Sequence, residues 1–207
     1  MMQEGNQKHS QSTLGLYIHV PFCSSTCDFC AFYQERPSKK KMESYFTGLQ
    51  KEWKQANLAQ PMDTVFVGGG TPGILQPDQL ERLCEFIKGM GLGEKVEWTV
   101  ELAPNEVTEE KLSVLHKGGV NRISLGVQTF DAELMVALGR KHGPETVFRA
   151  YDMIRETGFK SVNLELIFVI PHQTLEQWES DMTQAVELDP EHISTYWLTI
   201  EEDTDLE

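Results

Sequence analysis

Cys23, Cys27 and Cys30 stand at spacing C-x3-C-x2-C, directly after an apolar run over residues 16–22. That run reads as a short buried strand, which puts the three thiols on the loop leaving its C-terminal end. Thiolates ligate iron and zinc, and three on one tight loop can converge on one centre. Closed structural zinc sites and closed iron–sulfur clusters take four protein ligands. Cys84 is the one cysteine left, far along the chain on an expected helix. Three thiolates on a four-iron cluster would leave one iron open to a small molecule. Two further readings stand beside this one: a zinc site that recruits His19 or Cys84, and thiols with no metal at all.

The elements around that loop alternate. Met42, Tyr45, Phe46, Leu49 and Trp53 recur at helical spacing, and residues 64–67 form a strand that runs into Gly68-Gly69-Gly70-Thr71-Pro72. Leu80, Leu83, Cys84 and Ile87 share one face of a second helix, which makes Cys84 a small hydrophobe of the interior. Strands follow at 97–102, 121–128, 162–170 and 193–200. The helices between them carry Leu112 and Leu115, then Asp131 as an N-cap, then Pro144 in a first turn with Val147, Tyr151 and Ile154 inward and Gly158 as the stop. Thr174 and Gln177 form a capping box, with Leu175, Trp178, Met182, Ala185 and Val186 expected to point inward. Six strands alternating with helices predict an α/β fold, a partial (β/α)6 barrel of parallel strands, with a flat doubly wound sheet as the alternative. Either arrangement places ligand chemistry at the C-terminal ends of the strands.

Strands covered on both faces read as continuous apolar runs, and these do not. Residues two apart share a face. Tyr17 and His19 share one, as do Thr99 with Glu101, Ser124 with Gly126 and Gln128, and Asn163 with Glu165. The intervening Ile18, Val100, Leu102, Ile123, Leu125, Val127, Leu164 and Leu166 form an apolar outer face. Carboxylates on an inner face are costly unless something pairs with them. Arg122, Arg140 or bound water would serve, and a polar ligand in the barrel mouth accounts for the whole set. The glycine run permits unusual backbone angles and close approach to a ligand. It matches neither G-x-G-x-x-G nor a P-loop.

The chain's 207 residues suffice for one full core, and 40% hydrophobic with 24% charged residues is ordinary globular composition. A net charge of −14 speaks against a nucleic-acid partner. Five carboxylates among the last seven residues read as a solvated run. No apolar stretch approaches a membrane span, and the polar start carries no secretory signal, so the cytoplasm is the expected compartment. Residues 1–13 are expected to be a disordered tail and 14–207 one domain.

These motifs together resemble the radical S-adenosylmethionine (SAM) superfamily, and within it the oxygen-independent coproporphyrinogen III oxidase family. The resemblance rests on Tyr17-Ile18-His19-Val20-Pro21-Phe22-Cys23 with the cysteine loop, on Gly68-Gly69-Gly70-Thr71-Pro72, and on Glu101 ahead of Pro104. It extends through residues 121–130, Leu138-Gly139-Arg140, residues 163–167 and residues 192–196. It implies a radical SAM core in which Cys23, Cys27 and Cys30 hold a [4Fe–4S] cluster. SAM would chelate the free iron and be cleaved by one electron to methionine and a 5′-deoxyadenosyl radical. Tyr17 and Phe29 would lie beside the cofactor, and Gly69, Gly70 and Thr71 against its methionine end. Glu101, Gln128, Arg140, Glu165 and Thr199 would line SAM or a second SAM.

The oxidase branch carries a further cysteine two residues after the third ligand, where this chain has Phe32. That resembles the haem-chaperone branch and implies haem or a porphyrin, an acceptor protein, and an electron donor such as flavodoxin or ferredoxin as partners. Oxidase chemistry in porphyrin biosynthesis, and a non-catalytic metal-binding fragment, are the alternatives. Glu165 stands where the family has aspartate, and Val169 and His172 where it has glycines. The family's chains continue past this point into a C-terminal domain, which the resemblance leads one to expect missing here.

Overall fold

A computed structural model describes residues 13–25, 27–58, 60–202 and 204; the tail expected over residues 1–13 falls outside them except for Thr13. Six strands form one sheet in the order β1-β2-β3-β4-β5-β6: Gly15–Val20, Met62–Gly69, Leu92–Leu102, Arg122–Gln128, Ser161–Phe168 and His192–Trp197. Every neighbouring pair is parallel. The helices are α1 (Lys39–Ala56), α2 (Pro77–Lys88), α3 (Glu109–Gly118), α4 (Ala132–Ala137), α5 (Pro144–Thr157) and α6 (Leu175–Glu187). Two 3-10 turns, Pro72–Ile74 and Pro104–Glu106, follow β2 and β3.

Spatial order equal to chain order decides between the two expected architectures. A doubly wound sheet must reverse direction at a switch point to cover both faces. Right-handed crossovers that always advance the same way keep the helices on one side and curl the sheet around the other. The structure is therefore the partial barrel. Its outer strand residues supply the core: Ile18, Val65, Val67, Val100, Ile123, Leu125, Leu164 and Leu166 are all buried against helices. Cys84 is buried in that core, as its helical face predicts.

Local signals account for the helix ends. Ser38 caps α1 through its side chain, Thr108 caps α3, and the Asp131 carboxylate accepts from the N–H groups of Glu133 and Leu134 at the start of α4. Pro144 opens α5 and Gly158, at φ 98°, closes it. Thr174 and Gln177 form the reciprocal capping box of α6.

Three expectations need correction. Leu175 and Val186 do not face inward; they are 67% and 62% exposed. The inward stripe of α6 is centred on Trp178, Asp181, Met182 and Ala185, roughly a quarter turn away at 3.6 residues per turn. Asp181 joins it because its carboxylate accepts from Thr129 Oγ1 at 2.8 Å and from the Phe130 N–H at 2.7 Å. β1 is not buried throughout: it is an edge strand, with Tyr17 57% exposed. β6 ends at Trp197, not at residue 200, and Leu198 turns inward with its N–H on Phe168 O at 3.0 Å. Among the described residues no helix is long and apolar enough to cross a membrane.

Candidate functional site

The three thiols meet Glu101, Gln128 and Glu165 of the polar strand residues at the C-terminal edge of the sheet. One cavity of about 190 Å³ is lined by Cys23, Cys27, Cys30, Phe29, Gly69, Gly70, Thr71, Glu101, Gln128, Arg140 and Glu165, with Ser25, Phe32, Gln34 and Gly126 among the remaining walls. A larger hollow of about 530 Å³ lies between β1 and α1, away from the thiols. Volume alone does not mark the site; the convergence of ionisable groups does.

Backbone bonds set the cysteine loop. Cys23 N–H donates to Glu35 O at 3.1 Å, and Thr71 N–H to Phe22 O at 2.8 Å. Gly70 N–H donates to Val20 O at 2.8 Å, so the glycine run lies flat against the start of the loop. A Cβ on Gly70 would stand 2.7 Å from Phe22 O and 3.0 Å from Cys23 Sγ, which leaves room for hydrogen only. Cys23 Sγ lies 3.5 Å from Thr71 Oγ1. Asp28, between the second and third thiols, packs its carboxylate on Gly139, whose φ of 69° suits glycine. Ser24 donates to Glu106 at 3.4 Å. The buried Lys111 ammonium bonds Gly73 O at 2.6 Å and Glu106 O at 3.2 Å, with the Glu106 carboxylate at 3.5 Å. Lys111 thus ties both 3-10 turns beneath the loop, and no pattern in the sequence announces it.

Strand register sets the other half. Glu101 on β3 accepts from the Gly69 N–H at 3.0 Å. Glu165 on β5 accepts from the Ser124 hydroxyl. Register shifts between Gly126 and Gln128, so a bulge carries Gln128, at φ 71°, into the cavity. Arg140 donates to Gly126 O at 3.4 Å and lies 5.9 Å over the Phe29 ring, while its Nε is buried without a hydrogen-bond partner among the described residues.

Two expected residues are elsewhere. Tyr17 pairs with Phe66, three residues before Gly69, about 10 Å down the strand at 3.3 Å per residue. It stacks on Phe66 and shares a hydrogen bond with His19 Nδ1. Thr199 is exposed beyond β6, turned outward because its neighbour Leu198 packs into a small apolar cluster with Leu134, Leu138, Ile167 and Ile170. Neither lines the cavity.

Burial pushes Glu101 up to about 7, helped by the neighbouring Glu165 and opposed by the Gly69 N–H. Burial also raises Glu165, against Ser124, Arg140 and Arg122. The Cys23 and Cys27 thiols are raised chiefly by burial, with Arg140 pulling both down. Protonated, buried thiols bind metal by giving up protons, so a cationic centre resolves their burial.

The groups present fit a cluster and an amino-acid-bearing ligand. Among the described residues no three His, Cys, Asp or Glu side chains draw together around a single metal ion. Three thiols on the wall of one cavity can each take one iron of a cluster. His19 is held between Tyr17 and Tyr33 O, and Cys84 is in the core, so neither completes a zinc set. The orphaned Arg140 Nε offers a donor to a carboxylate, and the two glutamates offer acceptors to an ammonium or hydroxyls.

Comparison with known proteins agrees. The chain is 38% identical over 91% of its length to Heme chaperone HemW of Bacillus subtilis (strain 168), covering 51% of that protein. It is 33% identical over 89% of its length to Oxygen-independent coproporphyrinogen III oxidase of Paracoccus denitrificans (strain Pd 1222), covering 42% of it. The chain thus spans about half the length of the curated relatives it matches. The solved coproporphyrinogen III oxidase (HemN) of Escherichia coli superposes with a TM-score of 0.82 at 30% identity, over 90% of this chain and 44% of that one. The profile of the Radical SAM superfamily matches residues 17–185. Because that match runs from the first strand into the last helix and takes in the thiol loop and the cavity walls, the chain belongs to the radical SAM superfamily.

Proposed function

We propose that residues 14–207 are the cluster- and SAM-binding core of a haem-chaperone-type protein of the cytoplasm. The observation that carries this reading is the cavity itself: three thiols facing Glu101, Glu165, Gln128 and Arg140, with Phe32 rather than a fourth thiol on its wall. Cys23, Cys27 and Cys30 would hold a [4Fe–4S] cluster, and the backbone of Gly69, Gly70 and Thr71 would take the methionine end of SAM. When both are bound, the reduced cluster supplies one-electron cleavage of SAM. Arg140 binds the carboxylate through charge-assisted bonds. Glu101, Glu165 and Gln128 orient the ligand's hydroxyl and ammonium donors. The relatives named as haem chaperones support haem and an acceptor protein as partners, and a flavodoxin or ferredoxin is proposed beside them as the electron donor a reducible cluster needs.

Anaerobic reconstitution followed by haem titration tests this. About four irons and four sulfides per chain, SAM binding, and a Soret shift on haem addition are expected. Stoichiometric zinc in place of iron overturns the cluster assignment. A cluster-loaded chain with no Soret shift overturns haem binding by this core. His19, His142 and His172 are the histidines to exchange in that titration; His142 Nε2 is buried and without a hydrogen-bond partner among the described residues. The oxidase reading draws on the HemN superposition, and SAM cleavage that requires coproporphyrinogen turnover would establish it instead.

A further inference from the structure

Three buried or half-buried polar side chains on adjacent strands form a line of donors that all point one way. Ser194 Oγ on β6 donates to Asn163 Oδ1 at 3.1 Å. Asn163 Nδ2 on β5 donates to Ser124 Oγ at 2.7 Å. Ser124 on β4 donates to Glu165 Oε1. Register builds the line, since Ser194 lies opposite Glu165 and Asn163 opposite Ser124. Ser124 and Asn163 are 1% and 3% exposed, and none of the three donors lines the cavity. Glu165 alone reaches it.

Each link constrains the next. Asn163 gives its carbonyl to Ser194, so its amide nitrogen faces Ser124. Ser124 accepts there, and its single proton is left for Glu165. The line leaves Oε1 as an acceptor, and a donor serves an ionised carboxylate better than a neutral carboxyl. The chain therefore favours the carboxylate, against burial and against Glu101 on β3, and together with Arg122 on β4 and Arg140 beyond α4. His192, at the foot of β6, faces Arg122 at 2.8 Å, not Glu165. With Oε1 occupied, Oε2 has no hydrogen-bond partner among the described residues. A Cβ on Gly126 would lie 3.8 Å from both Glu165 Oε2 and Arg140 Nη2, so the free oxygen and the guanidinium share one floor of the cavity.

We propose that Ser194 is a positioning residue that acts through Asn163 and Ser124 to hold Glu165 ionised, with Oε2 turned to an ammonium or hydroxyl donor of the bound ligand. The identity of that ligand as SAM rests on the function proposed above. The positioning itself does not, and two measurements separate them.

The first needs no ligand: a carboxyl 13C titration of Glu165 in the cluster-free chain, compared with Ser194→Ala and Ser194→Thr. Alanine should raise the Glu165 midpoint and threonine should restore it. An unchanged midpoint in the alanine variant overturns the proposal. The second is equilibrium dialysis of SAM against the reconstituted chain across pH. Ser194→Ala should weaken binding severalfold near neutrality, up to about tenfold, the loss expected for one hydrogen bond between neutral groups. Its low-pH limb should move to higher pH. In a Glu165→Gln background the same change should be silent, the signature of two residues acting as one unit. Equal losses in both backgrounds overturn the proposal. A wild-type chain that binds no SAM fails the ligand assignment, and the titration then judges the chain of donors alone.

Discussion

The two halves of the cavity are built by different means. The thiol half is a loop whose shape comes from main-chain bonds to the glycine run and from anchors beneath it, Asp28 on Gly139 and Ser24 on Glu106. The carboxylate half sits within strands, where neighbours in register lock each side chain: Gly69 on Glu101, Ser124 on Glu165. A loop set by backbone leaves its sulfurs free of strong side-chain partners and able to meet a centre. Side chains locked by register arrive already aimed. The ligating half thus depends on close approach, and the recognising half on charge.

Gly70→Ala should break the first half most severely. The new methyl meets Phe22 O, a backbone atom that cannot step aside. Overpacking of this kind costs about 3 kcal/mol at the upper end, and iron incorporation should be lost. Iron and sulfide analysis after reconstitution checks it; full iron content would show that backbone approach does not set the loop.

Glu101 probes the second half. A carboxyl raised to about 7 in the fold stabilises it fully below the ordinary carboxylate range, and that contribution fades as pH rises through 7. The cluster-free chain should therefore lose up to roughly 3 kcal/mol between pH 4.5 and pH 8 from this group. Glu101→Gln keeps an acceptor for the Gly69 N–H and should flatten that slope, read from urea midpoints at each pH.

Lys111→Met removes the cation that holds Gly73 O and Glu106 together, at a cost of about 1–2 kcal/mol for the groups left unpaired. Slower cluster incorporation should accompany it. Val169→Gly should have the smallest effect and the opposite sign. Val169 sits at φ 63° and is exposed, a left-handed position poorly suited to a β-branched residue. Glycine should gain about 0.5–1 kcal/mol after its greater freedom in the unfolded chain is counted. Thermal melting checks both changes. The same conformation at His172, φ 66°, explains why glycine is expected at both positions.

Much of this was legible beforehand. Period-two polarity marked Glu101, Ser124, Asn163 and Glu165 as inward, and helix caps were readable at Asp131, Thr174 and Gly158. The stripe of α6 misled because Leu175 and Val186 are apolar by composition, whereas the buried position went to Asp181, whose partners lie some fifty residues away.

Alone, the residue order determined the alternation of strand and helix, the thiol loop at a strand end and the polarity of the inner face. Those follow from repeat spacing and from caps a few residues apart. Only the tertiary structure decided which distant groups meet: Asp28 with Gly139, Lys111 with two turns, Ser194 in line with Glu165, and Tyr17 and Thr199 outside the cavity. Register and loop closure bring together residues from different strands, and no short-range pattern in a chain encodes where a neighbouring strand will stand.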